Sequence, residues 1–251
     1  MSKYLFVGDM HVGSSYALMP PKFESTIASN LQKKIYGYWK QMVKDVGKVD
    51  VLVLMGDIVD GVGKNSNGRE MWSTDVDKQI QCALELLKMI NFDKSVAVYG
   101  SEYHVEGNLN ADQVTARELG CTYQGWELIL KPQNSREKIH VSHNISVSSS
   151  AWQYRTTAIA RELMFSLLNE KEIGMYKCVV RGHAHYYVFV QYSSNMGWVN
   201  PCWQARTPYL VKKGLALVPK LGYTVLEVED NGVWKHDVRT FSIPPPEVGV
   251  L

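Results

Sequence analysis

The chain lacks most of what would place it outside the ordinary globular class. It has four cysteines in 251 residues, Cys82, Cys121, Cys178 and Cys202. None is paired at redox-motif or zinc-knuckle spacing, which excludes a disulfide scaffold and a zinc ribbon. The expectation is reduced, mostly buried thiols in a reducing compartment. No apolar run approaches the ~20 residues of a membrane-spanning helix. The first apolar run, Tyr4-Leu5-Phe6-Val7, stops at Gly8-Asp9. A secretory signal needs about 7–15 such residues, so the expectation is an intracellular, cytoplasmic protein with no membrane partner. An excess of one charge is also missing: 27 basic against 25 acidic residues leave +2. That excludes a general basic coat for polyanions, although not a local patch. No Gly-x-Ser-x-Gly elbow, internal repeat or low-complexity linker occurs. At 45% hydrophobic and 21% charged residues, the chain is neither disordered nor collagen-like.

What is there is an alternation of strands and helices. Residues 4–7 read as a buried strand, 12–24 as a long loop, and 25–46 as a helix capped by Ser25. Residues 49–55 are nearly continuous apolar sequence, as in a strand covered on both faces. Residues 61–70 form a polar, glycine-rich loop. A helix follows, capped by Ser73 or Thr74 and running to about Met89, then a strand over 95–99. Residues 111–119 make a short helix stopped by Gly120. Strands are expected at 127–130, 138–142 and 176–181, with a helix over 156–168. The last third is mostly strand: 186–192, 223–229 and 233–239, the last two joined by Asp230-Asn231-Gly232. The expected fold is α/β: a four-layer α/β/β/α sandwich with two mixed central sheets. One catalytic domain is expected over 1–251, with a strand-rich part at 186–240 and an irregular tail at 244–251.

The polar residues with chemistry cluster at strand ends. Asp9-Met10-His11 follows the first strand, and Gly56-Asp57-Ile58-Val59-Asp60-Gly61 the second. His104 follows the third, His143 ends the strand over 138–142, and Gly182-His183-Ala184-His185 follows the strand over 176–181. Singly, most have a bland reading: a loop Asp capping a turn, or a surface His. The paired histidines behind a glycine are the exception, because core histidines rarely come in such pairs. Extended backbone would put residues two apart on one side, so each pair could reach one metal, or one residue each of two metals. Ligands in α/β folds bind at the C-terminal edge of the strands. Together the motifs supply two carboxylates and five imidazoles there, enough for two ions sharing a carboxylate. Mixed imidazole and carboxylate ligands suit manganese, iron or zinc better than magnesium or calcium, and two manganese ions are the expectation, with iron or zinc as the alternatives.

In this order the motifs resemble the calcineurin-like metallophosphoesterases over roughly residues 4–205. Asn200-Pro201 is similar to the family's Asn-Pro-Gly-Ser segment, with Cys202 in place of the glycine. The resemblance implies that Asp9, His11 and His185 hold one metal, that Asp57 bridges, and that His143 and His183 hold the second. One motif departs. Where the family has Gly-Asn-His-Asp/Glu, this chain has Gly100-Ser101-Glu102-Tyr103-His104. Ser101 stands in the Asn ligand's place and Glu102 in that of the family's His. An extended segment would keep His104 on the side of Glu102, as the general acid or as a replacement ligand. In this the chain resembles phage-type members of the family.

The activity implied is hydrolysis of a phosphodiester by metal-activated water, with a nucleic acid or nucleotide among the substrates. The alternatives are a phosphomonoesterase acting on a nucleotide or phosphoprotein, and a non-catalytic metal-binding module. Two loops, 12–24 and 61–70 with Lys64, Asn65, Asn67 and Arg69, are expected to overhang the site. Trp152, Tyr154, Arg155, Trp198, Trp203, Arg206 and Tyr209 either stack bases and bind phosphates or fill the core.

Overall fold

In a computed structural model, residues 1–23, 29–62, 66–104, 110–133, 135–146, 154–168, 176–214 and 218–243 are described. The elements, in chain order, are β1 (Ser2–Val7), α1 (Asn30–Val46), β2 (Val49–Leu54), α2 (Val76–Leu87) and β3 (Phe92–Val98). Then come α3 (Ala111–Leu119), β4 (Tyr123–Gly125), β5 (Glu127–Leu130), β6 (Ile139–Ser142), α4 (Arg155–Leu168) and β7 (Cys178–Arg181). The last are β8 (Val188–Tyr192), β9 (Asn195–Val199), α5 (Pro208–Lys212), β10 (Leu221–Val228) and β11 (Trp234–Phe241).

The strands form two mixed sheets. The six-stranded sheet has the order β11-β10-β1-β2-β3-β4, and the five-stranded sheet the order β5-β6-β7-β9-β8. β1 to β4 run parallel; at one end β10 is antiparallel to β1, and β11 is antiparallel to β10. In the second sheet β6, β7 and β9 are parallel, and β5 and β8 are antiparallel edges.

Alternation along each strand builds the layers, because successive side chains point to opposite faces. Leu5, Val7, Leu52 and Leu54 pack against Ile35, Trp39 and Met42 of α1 and Ile80 and Leu87 of α2. Tyr4, Phe6 and Val53 point the other way, onto Val141, Cys178, Val180 and Trp198 of the second sheet. Phe6 and Trp198 meet edge to face at 5.4 Å across that interface. The far face of the second sheet, through Val179 and Val199, takes Ile159 and Leu163 of α4. The order is helices, sheet, sheet, helix, the sandwich expected from the sequence.

Several local expectations need correction. The cap of α1 is Ser29: its hydroxyl accepts from the Gln32 N–H at 3.2 Å, and Gln32 Oε1 accepts from the Ser29 N–H at 3.3 Å. This closed capping box starts the helix there; Ser25 lies outside the described residues. α2 is capped by Asp75, which accepts from the Lys78 N–H at 3.1 Å. A carboxylate at that place also answers the helix dipole, and it displaces Ser73 and Thr74 from the role. Residues 12–20 are a loop, as expected, but a largely buried one. Val12 bridges Val59, Ser14 bridges Met71, and Ala17 and Leu18 are fully buried. β4 and β9 have no counterpart in the sequence reading, since Ser193-Ser194-Asn195 reads as a turn and Gly197 interrupts the run that follows. The Pro-rich tail over 244–251 lies outside the described residues. Cys82, Cys178 and Cys202 are buried and, with Cys121, free. Among the described residues no helix is long and apolar enough to cross a membrane.

Candidate metal centre

The C-terminal ends of β1, β2 and β3 lie side by side in one sheet, and those of β6 and β7 in the other. Hydrogen bonds join the two edges. His143 Nδ1 bonds the Met55 carbonyl at 2.6 Å, and the His183 N–H donates to the Asp9 carboxylate at 3.1 Å. Ligand atoms gather there in three groups, each within 4.8 Å: Asp9, His11 and His185; Asp57, His143 and His183; and His11, Asp57 and His104. The first two groups contain all six expected ligands. His183 and His185 therefore separate, one to each group.

The backbone does this by turning rather than by staying extended. Asp9, His11, Asp57, His183 and His185 have φ of 48°, 46°, 48°, 69° and 55°. They are five of the seven non-glycine residues with positive φ among those described. The left-handed region costs ~1–2 kcal/mol per non-glycine residue and persists where the surroundings over-determine it. Here the β1–β2 hydrogen bonding continues past the strand ends. Asp9 N–H donates to the Gly56 carbonyl at 2.9 Å, His11 N–H to Asp57 at 3.0 Å, and Val12 N–H to Ile58 at 3.0 Å. On the other edge Gly182 N–H donates to the His143 carbonyl at 2.9 Å and Lys220 N–H to His185 at 2.8 Å. Close approach makes glycine necessary at one position and leaves little room at another. A Cβ at Gly100 would stand 2.0 Å from Asp57 Oδ1, and one at Gly182 would stand 3.1 Å from Asp9 Oδ2.

The ring nitrogens are aimed inward. His11 Nδ1 bonds Asp60 Oδ1 at 2.8 Å, which leaves Nε2 to face His185 Nε2 at 3.0 Å. His185 Nε2 is 3.2 Å from Asp9 Oδ1. Those two are candidate ligand atoms; the His11 Nδ1 contact to Asp60, on the ring's far side, is the kind that orients a metal-binding imidazole. His143 spends Nδ1 on Met55, so its buried Nε2 lies 3.1 Å from Asp57 Oδ2, close enough for attraction but without hydrogen-bond geometry. Asp9 and Asp57 are buried, and buried carboxylates require compensating positive charge. The imidazoles respond to this. Burial opposes a charge on His143, yet Asp57 prevails and its pKa is pushed up to about 10. His104 is raised in the same way, by Asp57 and Asp60 against burial. Burial alone would raise Asp57, but His143 and His104 hold it well below the usual carboxylate range. Burial, with His143 beside it, lowers His183. Asp9 is lowered by His185 and His143 despite its burial. A divalent cation supplies the charge these carboxylates demand, and the donor set of imidazole nitrogen and carboxylate oxygen fits one.

The altered third motif also turns inward. Ser101 is a donor to Asp57: its N–H lies 2.7 Å from Oδ1 and its hydroxyl 3.1 Å from Oδ2. Glu102 to His104 form a 3-10 turn rather than an extended segment. The turn exposes Glu102 and brings His104 Nε2 to 3.6 Å from Asp57 Oδ2, with Nδ1 on the Asp60 carbonyl at 2.8 Å. Trp198 and Trp203 are fully buried core residues, not stacking platforms. Asn67, Arg69 and Arg206 are exposed and Tyr209 is partly so. Tyr154 is exposed, and the Arg155 guanidinium lies 5.2 Å over the Tyr186 ring. Lys64, Asn65 and Trp152 lie outside the described residues. Asn200 is buried between the sheets, where its Oδ1 accepts from the Thr224 hydroxyl at 2.7 Å. One buried carboxylate of the site escapes the sequence reading altogether: Asp112, in the first turn of α3. Its only local signal is that of an acid at a helix start.

No family model matches the chain. No curated protein matches it either. Among solved structures, it is similar to Vps29 of Entamoeba histolytica complexed with zinc, at 13% identity and a TM-score of 0.46, over 96% of this chain and 99% of that one. An archaeal phosphodiesterase matches at 11% identity and 0.46, over 94% and 99%. A predicted phosphoesterase of Streptococcus pneumoniae matches at 11% and 0.41, over 95% and 98%. Matches this remote say nothing of what the chain binds or does.

Proposed function

We propose that the chain is a metal-dependent phosphoesterase that hydrolyses a phosphodiester, of a nucleic acid or nucleotide, with two divalent transition-metal ions, manganese first. The observation that carries this reading is the meeting of two inward-facing ligand groups, Asp9/His11/His185 and Asp57/His143/His183, at the facing edges of two sheets. Asp57, shared with His11 and His104 in the third group, is the bridging carboxylate. Bound there, divalent ions would polarise a phosphoryl oxygen and lower the pKa of a water that they hold.

The protein's own residues do the rest. Asp60 and the Met55 carbonyl fix the rings of His11 and His143, so these two need not reorganise during the reaction. Ser101 holds the Asp57 carboxylate in place through two donors. His104 is the general acid that delivers a proton to the leaving oxygen. Its side chain is 23% exposed where those of His11 and His143 are 4% and 0%, so it alone of these three can meet a substrate. Its Nδ1 is occupied by the Asp60 carbonyl, and Nε2 is free to carry the proton.

The test is turnover of bis-(p-nitrophenyl) phosphate against p-nitrophenyl phosphate by the manganese-loaded protein. Preference for the diester is the expected result. Preference for the monoester would make it a phosphomonoesterase. Ser101 in the Asn ligand's place favours one other reading, a metal-binding module without turnover, and metal uptake with neither ester cleaved would establish it.

A further inference from the structure

We infer that Asp112 is the residue that positions Asp57 for ion binding, an inference that rests on the metal-centre reading above. Asp112 belongs to none of the three ligand groups. It acts through backbone. Its Oδ2 accepts from the N–H of Asp57 at 2.8 Å and of Gly100 at 2.8 Å, and its Oδ1 from the N–H of Ile58 at 2.9 Å. Those donors sit on two different turns, one after β2 and one after β3. One buried carboxylate on a helix thus ties together the two strand ends that the site needs.

The geometry explains why the tie matters. Asp57 has φ of 48°, and the N–H groups on either side of its Cα, its own and that of Ile58, both donate to the Asp112 carboxylate across that turn. Losing the acceptor leaves a buried N–H without a partner and removes a reason for the turn to stay left-handed. A turn that relaxes to negative φ swings the Asp57 carboxylate away from His143 and from the two Ser101 donors. Gly100 is pinned by the same oxygen and packs against Asp57 so closely that a Cβ at Gly100 would lie 2.0 Å from Oδ1 and 2.8 Å from Asp112 Oδ2. Asp112 therefore presets the shared carboxylate without touching an ion.

Positioning and plain structural support predict different results. Asp57 is one of three residues for the ion held with His143 and His183, but only the added, shared one for the ion held by Asp9, His11 and His185, so loss of Asp112 should weaken the first ion much more than the second. General destabilisation would affect both alike or neither. The experiment is a calorimetric manganese titration of wild type, Asp112→Asn and Asp112→Ala, well below the melting temperature of each. Asp112→Asn keeps the volume and one acceptor oxygen, so it remains informative if Asp112→Ala does not fold. His183→Ala, which removes a ligand of the same ion, is the benchmark. The expected result is two binding events in wild type, with one weakened about 10–100-fold in Asp112→Asn, as for other residues that orient ligands, and the other weakened clearly less. Asp112→Asn with both wild-type affinities would overturn the inference while leaving the metal centre intact. Wild type taking up no manganese would overturn the metal-centre reading, and this one with it.

Discussion

Asp57 is the side chain on which the site turns. It is buried, it accepts from Ser101, and two imidazoles approach its Oδ2, His143 at 3.1 Å and His104 at 3.6 Å. Of the two, His104 is the one with access to solvent, and its role divides cleanly by experiment. A general acid contributes about 10²–10⁴-fold, and mainly to a poor leaving group. With His104 as the acid, His104→Ala slows cleavage of a natural phosphodiester by that factor, barely affects a nitrophenyl ester, and keeps the metal content. With His104 as a ligand, both substrates suffer alike and one metal is lost. Paired steady-state rates and elemental analysis of the variant settle the matter. The candidate ligands are legible in the sequence because each follows a strand within a few residues. The turns that aim them are not legible. Positive φ at Asp and His leaves no mark that an ordinary loop would lack.

At the level of elements, the same backbone economy appears in the glycines, and two of them give opposite expectations. Gly37 lies mid-helix in α1, and a Cβ there would meet nothing within 4 Å. Gly37→Ala should stabilise the protein by about 0.5–1 kcal/mol, because alanine removes the entropy that glycine loses on folding. Gly100→Ala should instead displace Asp57 and abolish binding of the ion it shares. Thermal melts read the first and manganese titration the second. A destabilised Gly37→Ala, or a Gly100→Ala that binds metal normally, would contradict the account. Elements with strong local signals, such as β2 and α3, are legible from sequence: continuous apolar residues in one case, an apolar stripe ended by Gly120 in the other. β9 is not, since a strand containing Asn195 and Gly197 is held by its neighbours. Gly197 packs tightly, since a Cβ there would come 3.1 Å from the Ile159 side chain. Asp112 is equally hidden, because only the fold brings α3 to the ends of β2 and β3.

At the scale of the molecule, both sheets line one shared core, and we expect the chain to unfold as one unit. His236 on β11 reports on that core. It lies 4.6 Å from the Trp198 ring and 4.8 Å from Phe189, and its Nε2 is buried without a hydrogen-bond partner. Burial lowers its pKa to about 4, against about 6.5 in an unfolded chain. Between those values the unfolded state binds a proton that the folded state refuses, so stability is full above about pH 6.5 and falls towards pH 4. His236→Phe removes this term. In urea unfolding at pH 7.5 and 4.5, wild type should lose more stability than the variant; equal losses would show that the histidine is not held neutral. The central claim, however, concerns the joined strand ends. It is tested most directly by elemental analysis of wild type and His183→Ala after mild chelation and reloading with manganese. The account predicts two ions per chain in wild type and one in His183→Ala. A wild-type protein that retains none, or a His183→Ala variant with unchanged content, would contradict it.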